Sequence, residues 1–203
     1  MSPSPVPGKH RALIVVDVQR DFCAGGALPA RGCERVLPAI NRYIAAAETL
    51  GMPIYASRDW HPSVTTHFKD YGGEWPRHCV EESPGAEFHP ALRLPANTIV
   101  ISKGDSPNRP GYSAFDGHTQ GGLPFGQDLR SRHVDTLYVT GLATDYCVKQ
   151  TTLDGLIAGL RVVVLTNAIA GIDAHPGDVA RALDEMSGAG ANLTTGLAVM
   201  NAR

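Results

Sequence analysis

Residues 12–18 read ALIVVDV, an unbroken apolar run that ends at an aspartate. Short runs rich in β-branched residues recur along the chain: PIYAS from Pro53, TIVIS from Thr98, TLYVT from Thr136 and RVVVL from Arg161. Near-continuous apolarity, rather than strict alternation, is typical of strands that are buried on both faces of a parallel sheet. These five runs therefore predict a parallel central sheet.

Helical patterns lie between the predicted strands. In VLPAINRYIAAAETL, residues 36–50, apolar side chains recur every three or four residues, and Gly51 follows as a stop signal. Two further helices are predicted at about residues 145–159 and 176–186. Strands that alternate with helices predict an α/β fold with right-handed crossovers. The long stretch from Trp60 to Ala96 is weakly periodic, and loops of that length are usually functional.

Length and composition limit the class of protein. The chain has 203 residues, a formal net charge of −2 and 43% hydrophobic residues, which predicts a single domain over residues 11–203 after a flexible lead-in over residues 1–10. The near-neutral charge and the lack of a 20-residue apolar run predict no nucleic-acid or membrane partner, and they are compatible with a homo-oligomer. Four cysteines without a CxxC pair favour a reduced, cytoplasmic enzyme, with disulfides between some of them left open.

Reactive side chains follow four of the predicted strands. Asp17 ends the first, Asp59 the second and Lys103 the third, and Cys147 lies where the fourth turns into a helix. In an open parallel sheet, ligands bind outside the carboxyl ends of the strands. If these strands are neighbours, the four side chains meet at one edge of the sheet, which predicts an active site there.

Cys147 is the candidate nucleophile. The unpaired N–H groups of a helical first turn, with Thr144 or Asp145 as the cap, would favour its thiolate and could hold an oxyanion. The alternative is a buried cysteine that packs as a small hydrophobic residue. The three other cysteines lack this setting and are interpreted as structural: Cys23, Cys33 and Cys79.

Asp17 and Lys103 are candidates for proton transfer and charge stabilisation. The carboxylate of Asp17 could accept the thiol proton and pass it to a leaving amine. The ammonium of Lys103 could stabilise the thiolate and the developing negative charge. The alternatives are a capping or ion-paired aspartate and a surface lysine.

Histidines and an aspartate gather in DWHPSVTTHF, residues 59–68, and in WPRHCV, residues 75–80. Imidazole and carboxylate together suit Zn, Fe(II) or Mn(II), so this stretch predicts a site for one divalent metal ion; the alternative is a polar, histidine-rich loop. The candidate ligands are Asp59, His61, His67 and His78. The remaining histidines are interpreted as solvated: His10, His89, His118, His133 and His175.

Several motifs together carry a family resemblance: IVVDVQRDFCAGGAL, SRDWHP, EWPRHCVEESPGAEFHP, SKG and VTGLATDYCVKQTTLDG. From about Arg11 to Met186 the chain resembles the nicotinamidases (pyrazinamidases) of the isochorismatase-like cysteine hydrolase superfamily. The resemblance implies three layers, with helices on both faces of a mostly parallel sheet. It implies a catalytic triad of Asp17, Lys103 and Cys147. It also implies a divalent metal bound by Asp59, His61 and His78, with His67 a ligand in only part of the family.

The same resemblance implies how the site works. A cis peptide between Leu142 and Ala143 would turn the N–H groups of Ala143 and Cys147 into an oxyanion hole. The implied reaction is hydrolysis of nicotinamide, an aromatic amide, to nicotinate and ammonia through a cysteine thioester, with the metal anchoring the pyridine nitrogen. The predicted walls of the substrate pocket are Phe22, Trp75 and Tyr112.

The sequence leaves three alternatives to nicotinamide hydrolysis open. The first is another cysteine amidase of the superfamily that acts on a carbamoyl or ureido substrate. The second is a hydrolase whose metal-bound hydroxide is the nucleophile, with a structural Cys147. The third is a non-catalytic metal-binding or interaction protein on the same fold.

Overall fold

The structure, a computed structural model, describes residues 10–201. The predicted lead-in therefore lies outside the described residues, except for His10. The strands are Arg11–Val16 (β1), Ile54–Asp59 (β2), Ile99–Lys103 (β3), His118–Thr119 (β4), Thr136–Leu142 (β5), Arg161–Ala170 (β6) and Asn192–Thr194 (β7). The α-helices are Cys33–Thr49 (α1), Phe125–Ser131 (α2), Lys149–Ile157 (α3), Asp178–Gly188 (α4) and Ala198–Asn201 (α5).

The strands form one sheet in the order β4-β3-β2-β1-β5-β6-β7. Every neighbouring pair is parallel except β3 and β4, which are antiparallel. The central strand is β1, whose Ile14 lies between Tyr55 of β2 and Val139 of β5. The prediction of a mostly parallel sheet is confirmed. The four strands with reactive ends are consecutive in the sheet, as the sequence argument required.

Apolar side chains on the two faces of the sheet form two separate cores. Leu13 and Val15 of β1 belong to a core beneath α1, whereas Ile14 and Val16 belong to a second core beneath α2, α3 and α4. All four apolar residues of the predicted helical stripe are buried: Leu37, Ile40, Ile44 and Ala47. The predicted three-layer α/β fold is confirmed.

Some element boundaries differ from the predictions for local reasons. Helix α1 begins at Cys33, three residues before the quoted pattern, after Gly32 in the left-handed conformation. The helix expected from residue 145 starts as a π-helical turn, Thr144–Val148, and is α-helical only from Lys149. Sequence periodicity did not predict β4, β7 and α2, because two to seven residues are too few to establish a period.

Two of the cysteines pair. Cys23 and Cys33 form a disulfide with an S–S distance of 2.01 Å, so this pair is not reduced; the sequence had left disulfides between some of the cysteines open. Cys79 is buried and free, as expected for a structural cysteine. No helix within residues 10–201 is long and apolar enough to cross a membrane.

The histidines outside the predicted metal site are mostly at the surface. Exposed side chains are those of His10, His133 and His175. The expectation holds in part for His89 and His118, which are half-buried; the side chain of His118 is 41% exposed. His89 Nδ1 accepts a hydrogen bond from the N–H of Ala91, and His118 Nδ1 lies 3.7 Å from a carboxylate oxygen of Asp105.

Candidate active site

Lys103 lies at the centre of the residues that end the neighbouring strands. Its ammonium is fully buried and lies 2.9 Å from Asp17 Oδ2, 2.5 Å from Asp59 Oδ1 and 3.4 Å from Cys147 Sγ. It also donates a hydrogen bond to the carbonyl of Gly111 at 3.1 Å. The register of the parallel strands accounts for this convergence, since Asp59 of β2 pairs directly with Lys103 of β3.

The charges of this cluster are mutually dependent. Burial alone would lower the pKa of Lys103, but the carboxylates of Asp17 and Asp59 outweigh it and raise that pKa well above its ordinary value. Burial alone would raise the pKa of Asp59, but Lys103 and His61 outweigh it and hold the pKa below its ordinary value. Lys103 is therefore an ammonium and Asp59 a carboxylate at neutral pH.

Asp17 is set up differently from Asp59. It ends β1 in the left-handed conformation, with φ 47°, which aspartate tolerates better than most residues. Its Oδ1 accepts a hydrogen bond from Ser57 Oγ at 2.8 Å. Burial, together with the nearby charge of Asp59, raises the pKa of Asp17 despite the opposing effect of Lys103. Within the described chain Asp17 Oδ2 accepts no hydrogen bond of acceptable geometry, so this oxygen can receive a proton.

Cys147 is buried in the π-helical turn that follows β5. Burial raises the pKa of its thiol well above the ordinary value, and Lys103 offsets only part of this effect. The expectation of a thiolate favoured by the helical first turn is therefore wrong. Cys147 Sγ lies within 4.8 Å of carboxylate oxygens of Asp17 and Asp59. A base is thus in place to remove the thiol proton when the sulfur attacks.

The expected caps of this turn are absent from the described structure. Neither Thr144 nor Asp145 caps the π-helical turn with its side chain. The peptide bond between Leu142 and Ala143 is cis, and the carbonyl of Ala143 accepts hydrogen bonds from the N–H groups of Tyr146 and Val148 at 3.0 and 3.1 Å. The role of Ala143 and Cys147 as an oxyanion hole stays a prediction.

Three histidines face one another beside this cluster. Nitrogen atoms of His61, His67 and His78 lie within 4.8 Å of one another, and all three residues are buried. His61 Nδ1 lies 2.9 Å from the carbonyl of Gly104, and His78 Nδ1 lies 2.7 Å from that of Pro76. A carbonyl can only accept, so each Nδ1 carries the proton and each Nε2 keeps its lone pair.

The histidine cluster fits a divalent metal ion by two tests. His61 Nε2 is buried without a hydrogen-bond partner in the described chain, and Asp59 Oδ2 lies 3.6 Å from it. An unpartnered buried lone pair facing a carboxylate is costly unless a cation binds there. Burial, together with the nearby His61 and His78, lowers the pKa of His67 to about 3, and burial also lowers the pKa of His78. Neutral imidazoles are the form that binds metal.

Glycine is required at residue 104. Its φ is +71°, and a Cβ there would lie 2.5 Å from His61 Cε1, so any larger residue would displace the imidazole. The loop from Gly104 to Gly111 thus supports His61 with one carbonyl and Lys103 with another.

A pocket with an empty volume of about 290 Å³ opens onto both clusters. Its walls include the three predicted aromatic residues: Phe22, Trp75 and Tyr112. Trp75 Nε1 donates a hydrogen bond to the hydroxyl of Tyr112 at 2.9 Å. Cys147, Asp59, His67 and His78 also line the pocket. Aromatic walls beside these polar groups suit a flat ring that carries a polar substituent.

Sequence reasoning missed several residues of the site. Ser57, the partner of Asp17, carried a usable signal: it is a polar residue in a buried strand, on the same face as Asp59 two residues later. Leu28, Tyr146 and Ile172 also line the pocket. The sequence held no signal for Leu28 and Ile172, because apolar residues in loops cannot be assigned to a wall before the fold is known.

A buried thiol, carboxylate and ammonium at the carboxyl edge of a parallel sheet, beside a cation site, define the class: an α/β cysteine hydrolase with a histidine-rich metal centre. Residues 11–196 match the family model described as the isochorismatase domain. The chain therefore belongs to the isochorismatase family.

Similar proteins share nearly the whole chain. The nicotinamidase of Escherichia coli is 41% identical over 201 residues, which cover 91% of this chain and 94% of the relative. The pyrazinamidase of Pyrococcus horikoshii, solved in complex with zinc, superposes with a TM-score of 0.85 at 43% identity, covering 92% of this chain and 99% of that one. A structure of PnC1 from L. infantum in complex with nicotinate superposes at 0.82 with 32% identity, covering 95% and 96%.

Proposed function

We propose that this protein is a nicotinamidase, which hydrolyses nicotinamide to nicotinate and ammonia. The observation that carries the proposal is the contact of Lys103 Nζ with both Asp17 Oδ2 and Cys147 Sγ. These groups lie beside a pocket that aromatic side chains and histidines line. The relatives of this chain that act on nicotinamide or bind nicotinate support the choice of substrate.

In the proposed reaction, Cys147 Sγ attacks the carboxamide carbon while Asp17 accepts the thiol proton. The ammonium of Lys103 stabilises the negative charge that develops, and the N–H groups of Ala143 and Cys147 hold the oxyanion. Asp17 then gives its proton to the departing ammonia, which leaves a nicotinoyl thioester. Asp17 next removes a proton from water, whose attack releases nicotinate and restores the thiol of Cys147.

The donors Asp59, His61 and His78 would hold one divalent ion (Zn, Fe or Mn), with His67 as a further ligand. The structure of the pyrazinamidase from Pyrococcus horikoshii in complex with zinc supports this assignment. When bound, the ion supplies a Lewis-acidic position for the pyridine nitrogen. The rings of Phe22, Trp75 and Tyr112 orient the substrate ring toward Cys147.

Turnover of benzamide distinguishes two roles of the bound metal: anchoring the ring of the substrate, or generating the nucleophile. Benzamide has the same carboxamide but no ring nitrogen. His61→Ala and His78→Ala should therefore lower kcat/KM for nicotinamide by roughly 100-fold or more, because a site built for a polar group loses its partner. Both variants should barely change the low rate on benzamide. His118→Ala, half-buried outside the site, is the matched control. Equal losses on both amides would refute ring anchoring.

A panel of amides tests the substrate class in the same assay. Ammonia release is measured for nicotinamide, benzamide and a ureido or carbamoyl compound on protein of known metal content. Nicotinamide should be the preferred substrate. Preference for the ureido compound would replace nicotinamidase activity with that of a different cysteine amidase of the family.

We further propose that residues 11–203 form one catalytic domain that works in the cytoplasm on a small aromatic amide, without a nucleic-acid or membrane partner. A net charge of −2 gives no electrostatic attraction to polyanions and leaves association into a homo-oligomer open.

A further inference from the structure

Asp145 is a buried carboxylate that the proposed reaction does not use. It lies in the π-helical turn, two residues before Cys147, and is 5% exposed. Its Oδ1 accepts a hydrogen bond from the N–H of Ile172 at 3.0 Å, and its Oδ2 accepts one from the N–H of Asp173 at 2.7 Å. Asp145 therefore connects the turn that carries the nucleophile to the loop that follows β6.

This loop forms part of the substrate pocket. Ile172 lines the pocket beside Cys147. Gly171 packs directly against the carboxylate, since a Cβ at this position would lie 2.8 Å from Asp145 Oδ1. The carbonyl of Gly171 accepts a hydrogen bond from the N–H of Arg31 at 2.7 Å. Arg31 belongs to the segment that carries Leu28, another pocket wall. Two walls of the pocket thus depend on the loop that Asp145 holds.

The loop needs such an anchor because of its backbone conformation. Asp173 has φ 53°, in the left-handed region, which is uncommon for non-glycine residues although aspartate tolerates it better than most. A conformation of this kind persists where surrounding contacts fix it. The two hydrogen bonds that Ile172 and Asp173 donate to the same carboxylate are contacts of this kind.

We propose that Asp145 is a positioning residue for the substrate: by fixing the loop after β6, it holds Ile172 against the ring whose carboxamide Cys147 attacks. The kinetic part of this inference rests on the proposed function. A side chain that contacts the ring equally in the ground state and in the transition state contributes to the binding of both. Its loss should therefore raise KM more than it lowers kcat.

Amide hydrogen exchange tests the contact without any substrate. Asp145→Asn keeps the size of the side chain but replaces one acceptor oxygen with an NH₂ group, which cannot accept the hydrogen bond. The amides of Ile172 and Asp173 should exchange at least about tenfold faster in this variant. Asp154→Asn, a half-buried aspartate in α3, is the matched control and should leave both rates unchanged. Unchanged exchange in Asp145→Asn would overturn the proposal.

A double-mutant cycle tests the role. Asp145→Asn and Ile172→Ala should each raise the KM for nicotinamide about tenfold, with kcat lowered at most a few-fold. The double variant should be no worse than the worse single variant, because both changes remove one contact. Multiplicative effects would mean that Asp145 does not act through Ile172 and would overturn the proposal. The rate of Cys147 alkylation should stay unchanged in Asp145→Asn. If that rate fell together with the activity, the substitution would have disturbed the turn that carries the nucleophile, and Asp145 would not be a positioning residue for the substrate.

Gly171→Ala provides a second variant that leaves Asp145 itself intact. The new methyl group would lie 2.3 Å from Val179 Cγ2 as well as close to Asp145 Oδ1, so the loop must shift. The same rise in KM is expected, and an unchanged KM would contradict the proposal. If the unmodified protein does not turn over nicotinamide, the proposed function fails, whereas the exchange rates still decide whether Asp145 holds the loop.

Discussion

At the scale of single residues, the pKa values of Asp17 and Asp59 shift in opposite directions within one cluster. Both are buried and both contact Lys103. The pKa of Asp59 is lowered, because Lys103 and His61 together outweigh its burial, whereas burial dominates for Asp17 and raises its pKa. Two carboxylates whose pKa values are pushed apart take different tasks. Asp17 is suited to exchange protons, and Asp59 to remain a permanent anion.

The proposed covalent mechanism requires the thiol of Cys147. Cys147→Ala should abolish turnover of nicotinamide while fold and metal content stay unchanged. Cys147→Ser should be almost inactive, because an alcohol is far less ionised than a thiol. A thiol alkylator should inactivate the protein with its original sequence, and mass spectrometry should find the label on Cys147. Appreciable amidase activity in the alanine variant would contradict this assignment.

The raised pKa of Asp17 predicts the acid side of the pH profile. A base must be deprotonated, so kcat/KM should fall as the pH drops through the pKa of Asp17, at a pH above the ordinary range for aspartate. Asp17→Asn cannot accept a proton and should lower kcat by roughly 100-fold or more. Its residual activity should lose this acid limb. An unchanged acid limb in the variant would assign the titration to another group.

The sequence predicted that the candidate catalytic residues converge, because each follows an apolar strand. Asp17, Asp59 and Lys103 stood out as charges at the ends of buried runs, and the parallel fold brought them together. The protonation state of Cys147 could not be predicted, because it depends on burial and on Asp17, which lies far away in sequence. Leu28 and Ile172 were missed for a related reason: their roles arise from loops that meet only in the folded chain.

At the scale of elements, long periodic segments were predictable and short ones were not. Helix α1 shows the predicted stripe, and β1 is buried on both faces as its apolar run indicated. The two-residue strand β4 depends on its pairing with β3 rather than on any local pattern. The disulfide between Cys23 and Cys33 was equally out of reach, since four cysteines allow several pairings.

The disulfide should stabilise the segment that carries Leu28 to the pocket. It joins residues separated by 10 positions, and closing a loop of this size in the unfolded chain is worth roughly 3 kcal/mol. Cys33→Ala should therefore lower the free energy of unfolding by about that amount in urea titrations. A reductant should lower the free energy of unfolding of the original protein but leave that of Cys33→Ala unchanged. Four alkylatable thiols in protein unfolded in urea without reductant would contradict the pairing.

At the scale of the whole molecule, the metal site connects distant parts of the chain. Asp59 ends β2, while His67 and His78 come from the long loop before β3. A ligand that binds only the folded state stabilises it by mass action, by about 2.7 kcal/mol at a hundredfold excess over Kd. Occupying the site at that level should raise Tm by roughly 5–10 °C.

Thermal unfolding with a divalent ion and with a chelator measures this effect. The shift should disappear in His78→Ala and persist in His118→Ala, which changes a half-buried histidine outside the site. Equal shifts in all three proteins would mean that the ion stabilises the fold from elsewhere.

Asp59 divides its two oxygens between neighbours: Oδ1 contacts Lys103 Nζ, and Oδ2 faces His61 Nε2. One carboxylate charge is thus shared by an ammonium and by the cation site. Thermodynamic reciprocity follows: the factor by which protonation of Lys103 changes the affinity for the cation equals the factor by which the bound cation changes the proton affinity of Lys103. The two halves of the site therefore form a single linked equilibrium, and a substitution that retunes one of them is also read out in the other.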